Sequence, residues 1–314
     1  MLEIIFFLIA GCAFLYLGAE LLVRGSSRIA LHYRVSPLVI GLTLVAFGTS
    51  SPELVVSLIS GIKGIGNIAI GNVIGSNIFN IAVIIGLASI IRPIVVEHKA
   101  IIFDTPIMLG VSVIFSLMLL DLKISRLEAG LLLGGIILYI LVTFYLSKRN
   151  KLQIEVEEIS EVKQQKFNLL LNLFFVIAGL GLLVLGSELF VDGASKLARA
   201  VGISEAVIGL TIVASGTSLP ELATSIVASI KKEHAIAVGN IIGSNIFNIL
   251  AITGTAGLFN PLVADKITLL DIGFMLGTAL ALLLFMLVGK RINRFKGIIF
   301  LVSYLTYLYF LWPK

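Results

Sequence analysis

Glu53 and Glu221 are acids set inside long apolar stretches, each directly after a proline: GTSSPEL runs from Gly48 to Leu54, and GTSLPEL from Gly216 to Leu222. A charged acid at bilayer depth costs roughly 2.5–3.5 kcal/mol on insertion scales, so such residues mark ion or substrate pathways by default. A pair of protonated acids packed between helices is the plainer account, but it leaves the shared position after a helix-breaking residue unexplained. Pro52 and Pro220 have no N–H and clash with the carbonyls four residues back, those of Gly48 and Gly216, so each sets backbone oxygens free. Thr49, Ser50 and Ser51 in one stretch, and Thr217 and Ser218 in the other, add hydroxyls at the same breaks. Non-helical backbone at this depth is tolerated only where it is buried in protein or lines a polar cavity.

That inventory is one of hard oxygens. Calcium takes six to eight of them, and two bidentate carboxylates with one carbonyl from each break would supply about six, water completing the shell. Two carboxylates also neutralise one divalent ion, whereas sulfur and imidazole suit softer metals. Cys12 is the only cysteine and lies in the first apolar run, which excludes an internal disulfide or a cysteine zinc site; His32, His98 and His234 read as solvated loop residues.

A second pair of stretches, GNVIGSNIFNI from Gly71 and GNIIGSNIFNI from Gly239, carries polar side chains at helical spacing. Ser76 and Asn80 share one helical face, as do Ser244 and Asn248, and are placed to contact a cation or hold the glutamates. Asn72, Asn77, Asn240 and Asn245 are weaker candidates. The glycine pairs Gly71/Gly75 and Gly239/Gly243 have the small-xxx-small spacing that lets helices approach closely. Other embedded charges have ordinary readings: Glu20 pairing with Arg24, Glu188 and Asp192 solvated at a helix end, and Asp104 and Asp271 as N-caps.

The elements that must position these residues are membrane helices. The chain is 58% hydrophobic and 13% charged, far from soluble usage. Ten apolar runs approach the roughly 20 residues needed to span hydrocarbon: Leu2–Val23, Pro37–Ser60, Ile68–Ile91, Ala100–Leu120, Ile124–Ser147, Asn168–Val191, Glu205–Ile230, Ala235–Phe259, Ile267–Val288 and Gly297–Trp312. No basic segment precedes the first run, so it reads as a retained span rather than a cleaved signal peptide. Of the 23 lysines and arginines, sixteen fall in loops after odd-numbered runs. The positive-inside rule then expects both termini outside the cell membrane. The bases form no recognition module, so the net charge of +5 reads as a topology signal and no nucleic-acid partner is expected. No Ser/His set or cysteine pair attends the acids, so no enzyme activity or cofactor is expected.

Aligning the chain with itself at an offset of 168 superimposes both pairs of stretches, and also Val39–Thr43 on Val207–Thr211. Each half, 1–147 and 168–314, holds five runs. Five is odd, so the second half enters the membrane from the opposite side, and the halves form inverted repeats around a charged intracellular linker at 148–167. The expected fold is therefore an all-α membrane protein of ten transmembrane helices in two inverted five-helix repeats, the architecture of secondary transporters with a midplane site.

With those residues in hand, the chain resembles the calcium/cation antiporter superfamily, in particular its prokaryotic sodium/calcium exchanger branch. GTS-x-PE and GN-x-x-GSN-I-F-N match that family's paired repeats over essentially the full length, whereas plant and fungal proton/calcium exchangers place the repeat glutamate in a GN-x-x-E setting. The resemblance implies that Glu53 and Glu221 bind calcium with the carbonyls of Thr49 and Thr217. It implies sodium sites built from Ala46, Ser50, Ser76, Ala214, Thr217, Ser218 and Ser244 with the same glutamates, Asn80 and Asn248 being the polar pair beside them. Calcium and sodium ions and the bilayer are the implied partners, with a monomer sufficient. Many sodium exchangers carry an aspartate where this chain has Asn248, so a two-carboxylate site here leads us to expect electroneutral exchange. The expected mechanism is alternating access, sodium and calcium competing for shared oxygens while the first and sixth helices move against the other eight. A proton/calcium antiporter using the same glutamates is the nearest rival, and a cation channel a more distant one.

Overall fold

The computed structural model describes residues 2–33, 35–149, 168–202, 208, 212 and 214–311. The linker expected at 148–167 and the start of the run at 205–230, residues 205–213, thus lie almost entirely outside the described residues. Among those described, the chain is helical apart from two short ribbons. The helices are α1 (Leu2–His32), α2 (Pro37–Thr49), α3 (Ser51–Ile62), α4 (Gly66–Ile91), α5 (Ala100–Asp121), α6 (Arg126–Arg149), α7 (Leu169–Ala200), α8 (Leu219–Ile230), α9 (His234–Phe259), α10 (Leu269–Leu287) and α11 (Arg294–Leu311). Eight are long and apolar enough to cross a membrane, or nine when α2 and α3, bent by 51° at their break, count as one span. The protein is an all-helical, multi-pass membrane protein.

Its surface is apolar where a soluble protein's is polar. Leu127, Leu131, Leu138 and Leu141 lie exposed along one side of α6, and Leu2, Phe6 and Ile9 along α1. Glutamate, serine and asparagine side chains are buried inside instead. This inversion is the arrangement that lipid, rather than water, as solvent selects.

α1 and α7 are longer than their apolar runs. At 1.5 Å per residue they measure about 46 and 48 Å, more than the roughly 30 Å of hydrocarbon. Arg24 and Arg28, read from sequence as loop residues, lie in α1, and Lys196 and Arg199 lie in α7. The two helices run antiparallel and in backbone contact: a Cβ on Gly18 would sit 2.7 Å from the Gly179 carbonyl oxygen and 2.8 Å from the Leu183 nitrogen.

Contacts recur when 168 is added to one partner and subtracted from the other. Gly18 meets Leu183, and Gly186 meets Leu15. Strand β1 (Ile94–Val95) pairs antiparallel with β4 (Arg291–Ile292) in the register Ile94↔Ile292, and β2 (Lys123–Ile124) pairs with β3 (Leu262–Val263) in the register Ile124↔Leu262. The two ribbons sit at opposite ends of α5, which joins β1 to β2.

Several local readings need correction. Asp104 is no N-cap: helix begins at Ala100, so Asp104 is helical (φ −72°, ψ −43°), fully buried and within α5. Asp271 does cap α10, but from the third helical position, in a capping box with Thr268. Glu20 forms its ion pair with Lys231 (2.7 Å) rather than with Arg24 one turn along. His32 and His234 end and begin helices instead of lying in loops. In the second half the glycine spacing does bring helices together: a Cβ on Gly243 would fall 2.5 Å from the Leu42 carbonyl oxygen, so α9 packs directly on α2.

Candidate cation-binding site

The proline breaks put both glutamates at the start of a helix. Ser50, with φ −81° and ψ 9°, leaves helical geometry between α2 and α3, and Ser218, at −89° and 6°, does the same before α8. Pro52 and Pro220 follow in the first turn, where a missing N–H costs nothing. Glu53 and Glu221 then stand in the first turns of α3 and α8, each only 1% exposed. The positive end of a helix dipole favours an anionic side chain at such a place.

The two halves hold each other's acids. The Ser50 hydroxyl donates to Glu221 Oε1 at 2.7 Å, and the Ser218 hydroxyl donates to Glu53 Oε1 at 2.8 Å. The carboxylates are near enough to feel each other's charge, and Thr217 lies against Glu53 as Thr49 does against Glu221. Ser218 also reaches Ser76 (3.4 Å), which brings α4 to the same point. The second oxygen of each carboxylate, Oε2, is buried without a protein hydrogen-bond partner, and so is the hydroxyl of Ser244. Buried polar atoms are rarely left unpaired in a protein, because each costs of the order of 1–3 kcal/mol. Two buried carboxylates within reach of each other's charge, each with a buried acceptor left over, fit a cation, whose charge would offset their repulsion.

Asparagines stand one turn further along α4 and α9 from Ser76 and Ser244. Asn80 and Asn248 each begin a π-helical stretch, Asn80–Ile85 and Asn248–Ile252, local widenings that recur at functional sites. Asn80 Nδ2 donates to Asn245 Oδ1 and Asn248 Nδ2 to Asn77 Oδ1, both at 3.0 Å, while Oδ1 of Asn80 and of Asn248 has no protein donor. Asn72 donates to Ser57 Oγ (2.9 Å) and to the Glu53 carbonyl (3.2 Å), and Asn240 to Ser225 Oγ (3.1 Å). Asn240 also takes a bond from the Thr49 hydroxyl at 3.1 Å. Asn72 and Asn240 therefore brace the glutamate helices. The Ala46 carbonyl accepts from the Ser50 N–H at 3.0 Å, and Ala214 opens the short helical turn that precedes the second break.

Sequence reasoning brought Glu53, Glu221, Ser50, Ser218, Ser76 and Thr217 to one place. It missed Ser57 and Ser225, which match at the same offset of 168 and were readable from that signal. Asn77 and Asn245, weaker candidates by spacing, bond crosswise to asparagines of the opposite half, partners that one helix's spacing does not reveal. Among the described residues no three His, Cys, Asp or Glu side chains gather.

Two buried carboxylates among neutral oxygens, at helix breaks in a multi-pass membrane protein, have the chemistry to hold a hard cation. The model for the family described as sodium/calcium exchanger protein matches residues 3–146 and 171–312, and the chain belongs to that family. It is 39% identical over 326 residues to CaxA of Alkalimonas amylolytica, with all of both chains covered. It is 34% identical over 336 residues to the sodium/calcium exchanger MaX1 of Methanosarcina acetivorans, covering 96% of each. Its fold matches the solved sodium-calcium exchanger NCX_Mj with a TM-score of 0.85 at 34% identity, over 99% of both chains.

Proposed function

We propose that the protein is a secondary active antiporter that exchanges calcium for sodium across the cell membrane by alternating access, at a site centred on Glu53 and Glu221. The observation that carries this reading is the reciprocal hold: each acid is fixed by the other half's serine and keeps one buried oxygen free of protein donors. A cation bound there touches both halves, so its binding is coupled to how they pack. Sodium and calcium are both hard ions that accept carboxylate, hydroxyl and carbonyl oxygens. Competition for one set of oxygens couples their opposite movements, because a site with two bare acids crosses poorly.

The reading includes the architecture. Contacts that exchange under a shift of 168, in the glycine ladder, the two β ribbons and the serine–glutamate bonds, support two inverted five-helix repeats and ten spans. The domains are then 1–147 and 168–314 around the linker at 148–167, with both termini extracellular. Thr49, Thr217, Ser76, Ser244, Asn80, Asn248 and the carbonyls of Ala46 and Ala214 complete the ion sites. With Asn80 and Asn248 neutral, two carboxylates balance one calcium or two sodium ions, which makes the exchange electroneutral.

Purified protein in liposomes should take up radioactive calcium when sodium is imposed inside and withdrawn outside. Potassium or a pH gradient in place of sodium should not drive it; uptake driven by pH alone would replace sodium by protons in this reading. A sodium-dependent current accompanying calcium uptake would overturn electroneutrality.

A further inference from the structure

The amide of an asparagine has a donor end and an acceptor end, and only the acceptor end suits a cation. Which end faces a site is set by the hydrogen bonds of the other. Asn245 Nδ2 donates to the backbone carbonyl of Asn77 (3.4 Å) and lies 3.6 Å from Met108 Sδ. Neither of those atoms can donate, so this end of Asn245 has to be its NH2. Its Oδ1 is then the end that faces Asn80, which must answer with its own NH2 at 3.0 Å. The Asn80 oxygen is thereby turned away, as a buried acceptor with no protein donor. The mirror chain has the same logic: Asn77 Nδ2 donates to the Asn245 carbonyl (3.4 Å), Asn77 Oδ1 accepts from Asn248 at 3.0 Å, and Asn248 Oδ1 is left over.

We propose that Asn77 and Asn245 are positioning residues that fix the polarity of the Asn248 and Asn80 amides, so that both present oxygen and never NH2 to the transported cation. The inference rests on the reading of this cluster as a cation site. Two backbone carbonyls, which no side-chain rotation can change, thus determine, each through an asparagine of the opposite half, the acceptor character of one side chain in their own half. Each half sets the polarity of the other's ligand, and both are correct only when α4 and α9 are packed together.

The test is a cycle of calcium-binding measurements on purified protein. Asn245→Ala frees the Asn80 amide to turn its NH2 inward, and calcium affinity should fall about tenfold, the scale of one buried hydrogen bond to an ion. Asn80→Asp has two acceptor ends. In the wild-type background it meets Asn245 Oδ1 oxygen to oxygen and should weaken binding; in the Asn245→Ala background nothing opposes it, and it should restore binding. A merely structural role for Asn245 gives no such reversal of sign. Equal effects of Asn80→Asp in both backgrounds, or wild-type affinity in Asn245→Ala, overturn the proposal. The mirror series, Asn77→Ala with Asn248→Asp, gives the same decision if the first fails to fold, as judged by thermal unfolding. Absence of calcium binding by the wild-type protein overturns the site reading and this inference together, whereas wild-type binding with additive variants overturns this inference alone.

Discussion

At the scale of single residues, the two oxygens of each glutamate have different surroundings. Oε1 of each accepts from a serine of the opposite half, and Oε2 has no protein donor. Glu53→Gln and Glu221→Gln keep the shape and remove one charge each, so either should abolish sodium-driven calcium uptake in liposomes; normal uptake by either variant refutes the site. Ser50→Ala and Ser218→Ala remove the reciprocal hold but leave both charges. They should weaken calcium binding by roughly tenfold, the effect of one hydrogen bond to a charged group, without abolishing transport. The acids were legible in the sequence because a carboxylate after a proline in an apolar run has so few ordinary explanations. Their partners were not. Ser50 and Ser218 stand three residues before Glu53 and Glu221, yet each bonds the glutamate of the other repeat, a pairing that only the packing of the halves decides.

At the scale of elements, apolar runs located the spans, but helix ends were legible only where a breaker stood. The proline breaks at Pro52 and Pro220 were placed correctly. The first helix was read to Val23 and continues to His32, because Arg24 and Arg28 look like a loop by hydropathy and yet extend a helix that outgrows the hydrocarbon. Asp104 is a different case: the run starts at Ala100 as the helix does, but an acid just before Thr105 and Pro106 looks like a cap, and nothing in the sequence shows that helix already runs through it. What holds the long antiparallel pair α1 and α7 together is close backbone approach, the packing that membranes favour when apolar burial gives no net drive. Gly179 and Gly181 on α7 make a matched test. A Cβ on Gly179 would fall 2.7 Å from the Leu22 nitrogen and 2.8 Å from the Gly18 carbonyl oxygen, while one on Gly181 meets nothing within 4 Å. Gly179→Ala should therefore cost about 1–3 kcal/mol and lower the unfolding temperature in detergent. Gly181→Ala should leave it unchanged or raise it slightly, since alanine is the better helix former.

At the scale of the whole molecule, the proposed inverted repeats would make the opposite-facing state an exchange of roles between halves. The structure holds one side together through Glu20 and Lys231 at 2.7 Å and through the Ser27 hydroxyl on Glu233 at 3.0 Å, which tie α1 to the turn between α8 and α9. Shifting that ion pair by the repeat offset gives Glu188 and Lys63. Both are exposed, and no ion pair joins them among the described residues. If the carrier alternates by exchanging the halves' conformations, Glu188 and Lys63 close the other side when Glu20 and Lys231 part. Exposed ion pairs are worth at most about 1 kcal/mol, so each should tilt the balance of states only a few-fold. Lys231→Glu should change the calcium–sodium exchange rate by that amount, and Glu20→Lys in the same chain should restore it. The sharper case is Lys63→Glu, which disturbs no ion pair among the described residues. It should change the exchange rate as much as Lys231→Glu does, with Glu188→Lys restoring it, and both effects should shrink as salt screens the pair. A Lys63→Glu protein that exchanges at the wild-type rate in low salt shows that the halves do not trade these contacts.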